Sequence, residues 1–109
     1  MNHLPRTTRR SSPPARIIIA DDHDLARAGL RAVFDDTRDM TVIGEAADGK
    51  AAVELCSQLQ PNLAVLDVRM PNMDGLEATR AIKAVCPRTS VLIVSFHAVS
   101  RHMMNRRAR

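Results

Sequence analysis

Polar residues close three short apolar runs of this chain. The runs read Ile-Ile-Ile-Ala, Leu-Ala-Val-Leu and Val-Leu-Ile-Val, and the polar residues that follow them are Asp21 with Asp22, Asp67, and Ser95. Carboxylates that share a small space repel one another unless a cation lies between them. One or two carboxylates together with water are the ligands that Mg²⁺ prefers. If the fold brings these acids together, the sequence predicts a Mg²⁺ site.

The apolar runs have the character of strands that are buried on both faces of a parallel sheet. Apolar residues at helical spacing lie between them. We predict strands at about 17–20, 41–47, 62–67 and 91–94, and helices at about 25–35, 50–59 and 75–85. In the first helix, one apolar face is formed by Leu25, Ala28, Ala32 and Val33, with Leu30 and Phe34 beside it. Asp24 is the expected N-cap of that helix, and Asp74 with Glu77 forms the D-x-x-E start of the third.

Strands that alternate with helices predict βαβ units with right-handed crossovers. Helices on both faces of apolar strands give a doubly wound, three-layer α/β fold with a parallel sheet. In the flavodoxin-like strand order 2-1-3-4-5, the first and third strands are neighbours. Asp22 and Asp67 would then converge at the carboxyl edge of the sheet, where open α/β sheets bind ligands.

Charge is unevenly distributed along the 109 residues. Residues 1–16 and 101–109 each hold four arginines and no acid. The whole chain carries +4, and eight positive charges lie at the ends, which leaves −4 for residues 17–100. Basic ends can bind nucleic acid. These ends lack interleaved aromatic residues and a DNA-binding motif, so solvated termini are the favoured interpretation and nucleic-acid binding is the alternative.

Several features indicate a cytoplasmic protein of one domain. No apolar run approaches the roughly 20 residues that a membrane helix needs, and the N-terminus lacks the apolar region of a secretory signal. Cys56 and Cys86 lack C-x-x-C spacing, so we expect reduced, buried thiols. Neither a Ser/His/Asp set, nor a P-loop, nor a zinc-binding spacing is present, which disfavours a hydrolase.

The nine residues from Asp67 to Gly75 read Asp-Val-Arg-Met-Pro-Asn-Met-Asp-Gly. This segment resembles the phosphoacceptor signature of bacterial response-regulator receiver domains. Together with Asp-Asp-His at residues 21–23, it is similar to the subfamily that carries a LuxR-type helix-turn-helix output domain. The resemblance runs from about residue 16 to residue 95. Asn72 stands where many members have Gly, and Asn also tolerates a left-handed backbone.

The resemblance implies a role for each polar residue. Asp67 would accept a phosphoryl group from the phosphohistidine of a sensor histidine kinase, and Ser95 would be the switch hydroxyl. Asp22 would bind Mg²⁺ directly, Asp21 would bind it through water, and the backbone carbonyl of Arg69 would supply a further ligand. His23 is interpreted as a loop histidine outside the ligand set. The chain would assist its own phosphotransfer without being an enzyme in the ordinary sense.

The resemblance ends before a whole receiver domain is complete. A receiver continues with a fourth helix, a fifth strand that carries a Lys, and a fifth helix, whereas fourteen residues follow Ser95 here. The only lysines, Lys50 and Lys83, fall on predicted helices. We therefore expect a basic, disordered leader at 1–15 and a C-terminally truncated receiver domain at 16–109, whose residues 96–109 form a divergent basic tail. The expected sheet order is 2-1-3-4, without the fifth strand and fifth helix.

The shortened fold has consequences for function. Signalling should be impaired without the switch Lys and an output domain. The fourth strand should be an exposed edge that invites self-association, and the first helix should bare an apolar patch. Three functions follow in order of preference: a phosphoacceptor in a two-component relay, a receiver fragment that binds partners as a decoy, and a nucleic-acid binder with basic ends.

Overall fold

The computed structural model describes residues 13–95. Strands and helices alternate along them: β1 (Ala15–Ala20), α1 (Asp24–Asp35), β2 (Met40–Ala46), α2 (Gly49–Leu59), β3 (Leu63–Asp67), α3 (Gly75–Val85) and β4 (Ser90–Val94). Every predicted element within this range is confirmed, with boundaries shifted by at most two residues. Most of the predicted leader and all of the predicted tail at 96–109 lie outside the described residues.

The four strands form one parallel sheet in the order β2-β1-β3-β4. β1 lies between β2 and β3, and Ala20 of β1 is opposite Leu66 of β3. Asp67 at the end of β3 is opposite Val94 of β4. The predicted order 2-1-3-4 is confirmed, and it places the carboxyl ends of all four strands at one edge.

Helices cover both faces of the sheet, so the predicted three layers are confirmed. On one face, residues of β1 and β3 pack against α2 and α3; the fully buried members are Ile18, Ala20, Ala64, Leu66, Ala52, Cys56, Ala78 and Ile82. On the other face, α1 covers Ile17, Ile19, Val42 and Val65 with the half-buried Leu30 and Phe34. Alternate residues of the central strands thus face opposite layers, which explains their unbroken apolar runs.

Within residues 13–95, no helix is both long enough and apolar enough to span a membrane.

The predicted apolar face of α1 was assigned to the wrong side of the helix. Leu25 is 85% exposed and Val33 is 63% exposed, and Ala28 and Ala32 are exposed as well. The residues that turn toward the sheet are Ala26, Leu30 and Phe34. These three recur every four residues and form a single stripe. We also expected α1 to expose an apolar surface. That exposed surface is the same helix face that we had predicted to pack inside.

β4 is less buried than its apolar sequence indicated. Leu92 is 48% exposed, and Val91, Ile93 and Val94 are only half-buried. Among the described residues, β4 has a neighbouring strand on one side only, which is β3. Burial on both faces, which the apolar run indicated, is wrong for β4, whereas the predicted exposed edge agrees with the exposure of its described residues.

The two cysteines are free and fully buried, as predicted. Cys56 lies in α2, and Cys86 follows the last residue of α3. Burial, together with a smaller effect of the neighbouring Cys86, raises the pKa of the Cys56 thiol to about 12. Water is excluded around Cys56, and the neutral thiol is the form that suits this apolar surrounding.

The raised pKa of Cys56 predicts a loss of stability in alkali. Between its ordinary value of 9.0 and the folded-state value of about 12, the unfolded chain releases the thiol proton and the folded chain retains it. The free energy of unfolding should therefore fall as pH rises, by up to about 1.4 kcal/mol per pH unit from this group. Urea unfolding from pH 8 to 11 measures the slope, which should be smaller in Cys56→Ala; identical slopes would contradict the prediction.

Candidate functional site

Two buried aspartates stand side by side at the carboxyl edge of the sheet. β1 and β3 are neighbours, with Ala20 opposite Leu66, so Asp21 and Asp67 occupy the next position on each strand. Both residues are fully buried. The two carboxylates therefore lie at the centre of the sheet's carboxyl edge, one at the end of each of two adjacent parallel strands.

Asp21 is held through its main chain and its side chain. Its backbone N–H donates to the carbonyl of Ala46 in β2 at 3.1 Å. Its Oδ1 accepts a hydrogen bond from the backbone N–H of His23 at 2.9 Å. Its carbonyl accepts one from Nη1 of Arg27 at 2.7 Å. These bonds fix the backbone from which Asp21 and Asp22 project.

Asp22 and His23 extend the acidic site toward solvent. Oδ1 of Asp22 lies 2.9 Å from Nδ1 of His23, and Oδ1 of Asp21 lies 3.6 Å from the same nitrogen. One ligand atom from each of the three residues falls within 4.8 Å of the others. His23 was predicted to lie outside the ligand set, although its place next to two acids in the sequence could have indicated that it is close to them.

A cleft joins this cluster to the loop after β3. Its walls are formed by Asp22, His23, Val68, Arg69, Met70, Pro71 and Asp74. Asp22 and Arg69, both predicted to contact a metal ion, therefore line the same space. Asp67 immediately precedes Val68 in the chain and is fully buried.

One left-handed residue and a helix cap define the backbone of the loop between β3 and α3. Asn72 adopts a left-handed conformation, with φ of 70°, as expected for the residue that stands in place of Gly. Asp74 caps α3, because its side chain accepts from the N–H of Glu77 while the Glu77 side chain accepts from the N–H of Asp74. The predicted D-x-x-E helix start is confirmed.

Gly75 permits α3 to begin directly against the end of β3. A Cβ atom on this residue would lie 2.7 Å from the carbonyl oxygen of Asp67 and 3.0 Å from the Cα of Val68. The N–H of Gly75 also donates to the carbonyl of Val68 at 3.0 Å. The glycine is therefore required for close approach of two backbones next to Asp67.

Ser95 lies at the same edge of the sheet as the acids. It directly follows Val94, which is opposite Asp67 in the β3–β4 pairing, and it is exposed. The lysines are placed differently. Nζ of Lys83 donates to the carbonyls of Pro87 and Thr89 before β4 begins, at the opposite edge, and Lys50 is exposed in the first turn of α2.

Comparison with known proteins agrees with this fold. The family model of the response regulator receiver domain matches residues 17–107. The chain belongs to the response regulator receiver domain family, and the matched range continues past Ser95.

In its relatives, the matching region is part of a longer protein. Protein-glutamate methylesterase/protein-glutamine glutaminase 4 of Myxococcus xanthus is 48% identical over 82 residues, which are 75% of this chain and 23% of that protein. A LuxR-family two-component response regulator from Aurantimonas sp. is 35% identical with a TM-score of 0.70, covering 73% of this chain and 57% of that one. The CheX–CheY–BeF₃–Mg²⁺ complex from Borrelia burgdorferi gives 26% identity and a TM-score of 0.74, covering 80% and 66%. The chain thus spans about a quarter of the length of its methylesterase relative.

Adding a methyl group at Gly75 should strain the site. Gly75→Ala forces the backbones of Asp67 and Gly75 apart, so we expect the free energy of unfolding to fall by about 1–3 kcal/mol. Gly29→Ala is the matched control, because nothing lies within 4 Å of its added Cβ and a helical Ala is about 1 kcal/mol more favourable than Gly. Urea denaturation should show opposite signs for the two variants; equal changes would refute the close approach.

Proposed function

We propose that this receiver domain is a phosphoacceptor in a two-component phosphorelay, with Asp67 as the residue that is phosphorylated. The observation that carries the proposal is the pairing of β1 with β3, which sets Asp67 beside Asp21. Placing a nucleophilic carboxylate next to further acids does not stabilise a fold, since like charges in a small space repel. The arrangement suits a reaction in which a cation offsets that repulsion.

The donor set favours Mg²⁺ as this cation. Asp21 and Asp22 offer carboxylate oxygens, and the backbone carbonyl of Arg69, on the same cleft as Asp22, offers another oxygen. Hard oxygen ligands from one or two carboxylates plus water suit Mg²⁺. The Borrelia burgdorferi relative was solved as a complex that contains Mg²⁺ and BeF₃, which supports the same assignment here. When bound, Mg²⁺ would neutralise charge on the transferring group.

The transfer itself requires little from the protein beyond positioning. A carboxylate oxygen of Asp67 attacks phosphorus, the P–N bond of the donor phosphohistidine breaks, and its electron pair returns to the imidazole nitrogen. The product is an acyl phosphate on Asp67. Asp67 is fully buried, so we expect the donor to reach it from the cleft that Asp22 and Arg69 line.

We propose that Ser95 acts as the switch hydroxyl. Its place one residue beyond Val94, the partner of Asp67, supports a bond from its hydroxyl to a phosphoryl oxygen after phosphorylation.

Nucleic-acid binding by the basic ends is the least favoured function. Of their eight arginines, Arg16 alone falls within residues 13–95. Its Nη1 and Nη2 donate to the carbonyls of Gln60 and Leu59 at 3.0 and 2.6 Å. Arg16 thus satisfies the C-terminal end of α2, which is a structural task.

Phosphorylation by acetyl phosphate tests the main proposal. With Mg²⁺, intact-mass spectrometry should show one hydroxylamine-labile phosphoryl group per chain, and chelation of Mg²⁺ should abolish it. Asp67→Asn should remove the label, whereas Asp36→Asn, an exposed acid at the far end of α1, should leave it unchanged. A label that persists in Asp67→Asn, or that needs no divalent cation, would contradict the proposal.

We also propose self-association through β4. An edge strand presents unpaired backbone groups that can pair with another chain, and Leu92 on β4 is 48% exposed. Sedimentation velocity over a concentration series should show association of the wild type and its loss in Leu92→Lys. Leu76→Lys, on α3 with 56% exposure of the native side chain, should behave like wild type. A monomeric wild type at every concentration would refute this interface, and a decoy function based on it.

A further inference from the structure

Arg27 of α1 connects the acidic site to two structural elements. Its Nη1 donates to the carbonyl of Asp21 at 2.7 Å, its Nη2 lies 2.5 Å from Oδ1 of Asp24, and its Nε lies 3.3 Å from Oε1 of Glu45. The side chain is only 17% exposed, which is low for an arginine. One guanidinium therefore contacts the end of β1, the start of α1 and β2.

The planar shape of the guanidinium suits this task. Its five donors point in fixed directions, so one arginine can bind a carbonyl and two carboxylates at once. A lysine ammonium, a single point charge, cannot reproduce all three contacts in one geometry. The backbone N–H of Arg27 also donates to the carbonyl of His23 at 3.0 Å, so the first turn of α1 fixes where the guanidinium lies.

Of the three contacts of the guanidinium, the hydrogen bond to the carbonyl of Asp21 is the one that bears on the acidic site. The carbonyl of Asp21 belongs to the peptide unit that joins Asp21 to Asp22. A hydrogen bond to that carbonyl fixes the plane of the peptide, and with it the directions in which the two carboxylates project. The N–H of the same Asp21 is held by Ala46, so Arg27 constrains the side of the residue that faces Asp22.

Arg27 and its neighbour Arg31 differ in their contacts with the site. Asp24 and Glu45 offset the charge of Arg27, so Arg27 affects the site mainly through its directed hydrogen bond and less through its charge. Arg31 also contacts Glu45, through its Nη1, and lies 3.5 Å from Asp35. Arg31 is 48% exposed and on the same helix. It shares Glu45 with Arg27, its other ionic contact is with Asp35, and it keeps Glu45 paired when Arg27 is replaced.

We infer that Arg27 is a positioning residue for the metal-binding pair Asp21 and Asp22. This inference rests on the proposed function. Without the guanidinium, the peptide between the two acids rotates more freely, and the acids are no longer held in one arrangement for a cation. Loss of a group that orients metal ligands typically reduces metal affinity about 10–100-fold.

Two measurements test this role on the full chain. Isothermal titration calorimetry with Mg²⁺ should show a dissociation constant raised about 10-fold in Arg27→Gln, an intermediate value in Arg27→Lys, and a change within about twofold in the control Arg31→Gln. Amide hydrogen exchange without Mg²⁺ should be faster at Asp22 and His23 in Arg27→Gln, and unchanged at these amides in Arg31→Gln. Circular dichroism confirms folding, and Arg27→Lys carries the comparison if Arg27→Gln does not fold.

The outcomes distinguish this inference from the proposed function. If the wild type binds Mg²⁺ and Arg27→Gln binds it equally well, the positioning role is refuted and the proposed function stands. Equal weakening in Arg27→Gln and Arg31→Gln also refutes it, because the effect would then arise from the shared contact with Glu45. If the wild type binds no Mg²⁺, the proposed function fails and the role of Arg27 fails with it.

Discussion

The site depends on one constraint, which is that β1 and β3 are adjacent, parallel and in register. Parallel strands end at the same edge, and right-handed crossovers require the intervening helices to cover the faces. Because Ala20 is opposite Leu66, the acids after them, Asp21 and Asp67, come together without any long-range side-chain contact. A shift of one residue in this pairing would turn one carboxylate toward the opposite face of the sheet.

Local devices then refine what the sheet provides. Gly75 lets α3 begin against the carbonyl of Asp67, and the reciprocal cap of Asp74 and Glu77 stops the loop from fraying. On the other side, Arg27 holds the carbonyl of Asp21. The backbone carbonyls of Asp67 and Asp21 are therefore two of the points at which the site is fixed.

Much of this architecture follows from the sequence, for identifiable reasons. Central strands are buried on both faces, so Ile17–Ala20 and Leu63–Leu66 could be recognised from unbroken apolar runs, and the acids that end them could be placed at one edge. The burial of an edge strand depends on what lies beside it, so the apolar run of β4 alone overstated its burial. The inward stripe of α1, formed by Ala26, Leu30 and Phe34, was missed because small and large apolar residues occur all round that helix.

Arg27 could not be assigned from the sequence, because its partners Asp21 and Glu45 lie on two strands whose separation only the fold determines. Charged residues on a helix ordinarily indicate a solvated face. A partly buried arginine that binds a main-chain carbonyl is recognisable only from the three-dimensional arrangement.

The most direct test of the account is to locate the cation with a paramagnetic ion. Mn²⁺ added in substoichiometric amounts should broaden the amide NMR signals of residues 21–23 and 67–69 together, and excess Mg²⁺ should restore them. Asp35, Asp36 and Asp39, exposed acids at the opposite edge, should keep sharp signals. Broadening that is strongest at those three acids, or that affects residues 21–23 without residues 67–69, would contradict the claim that one cation site joins the ends of β1 and β3.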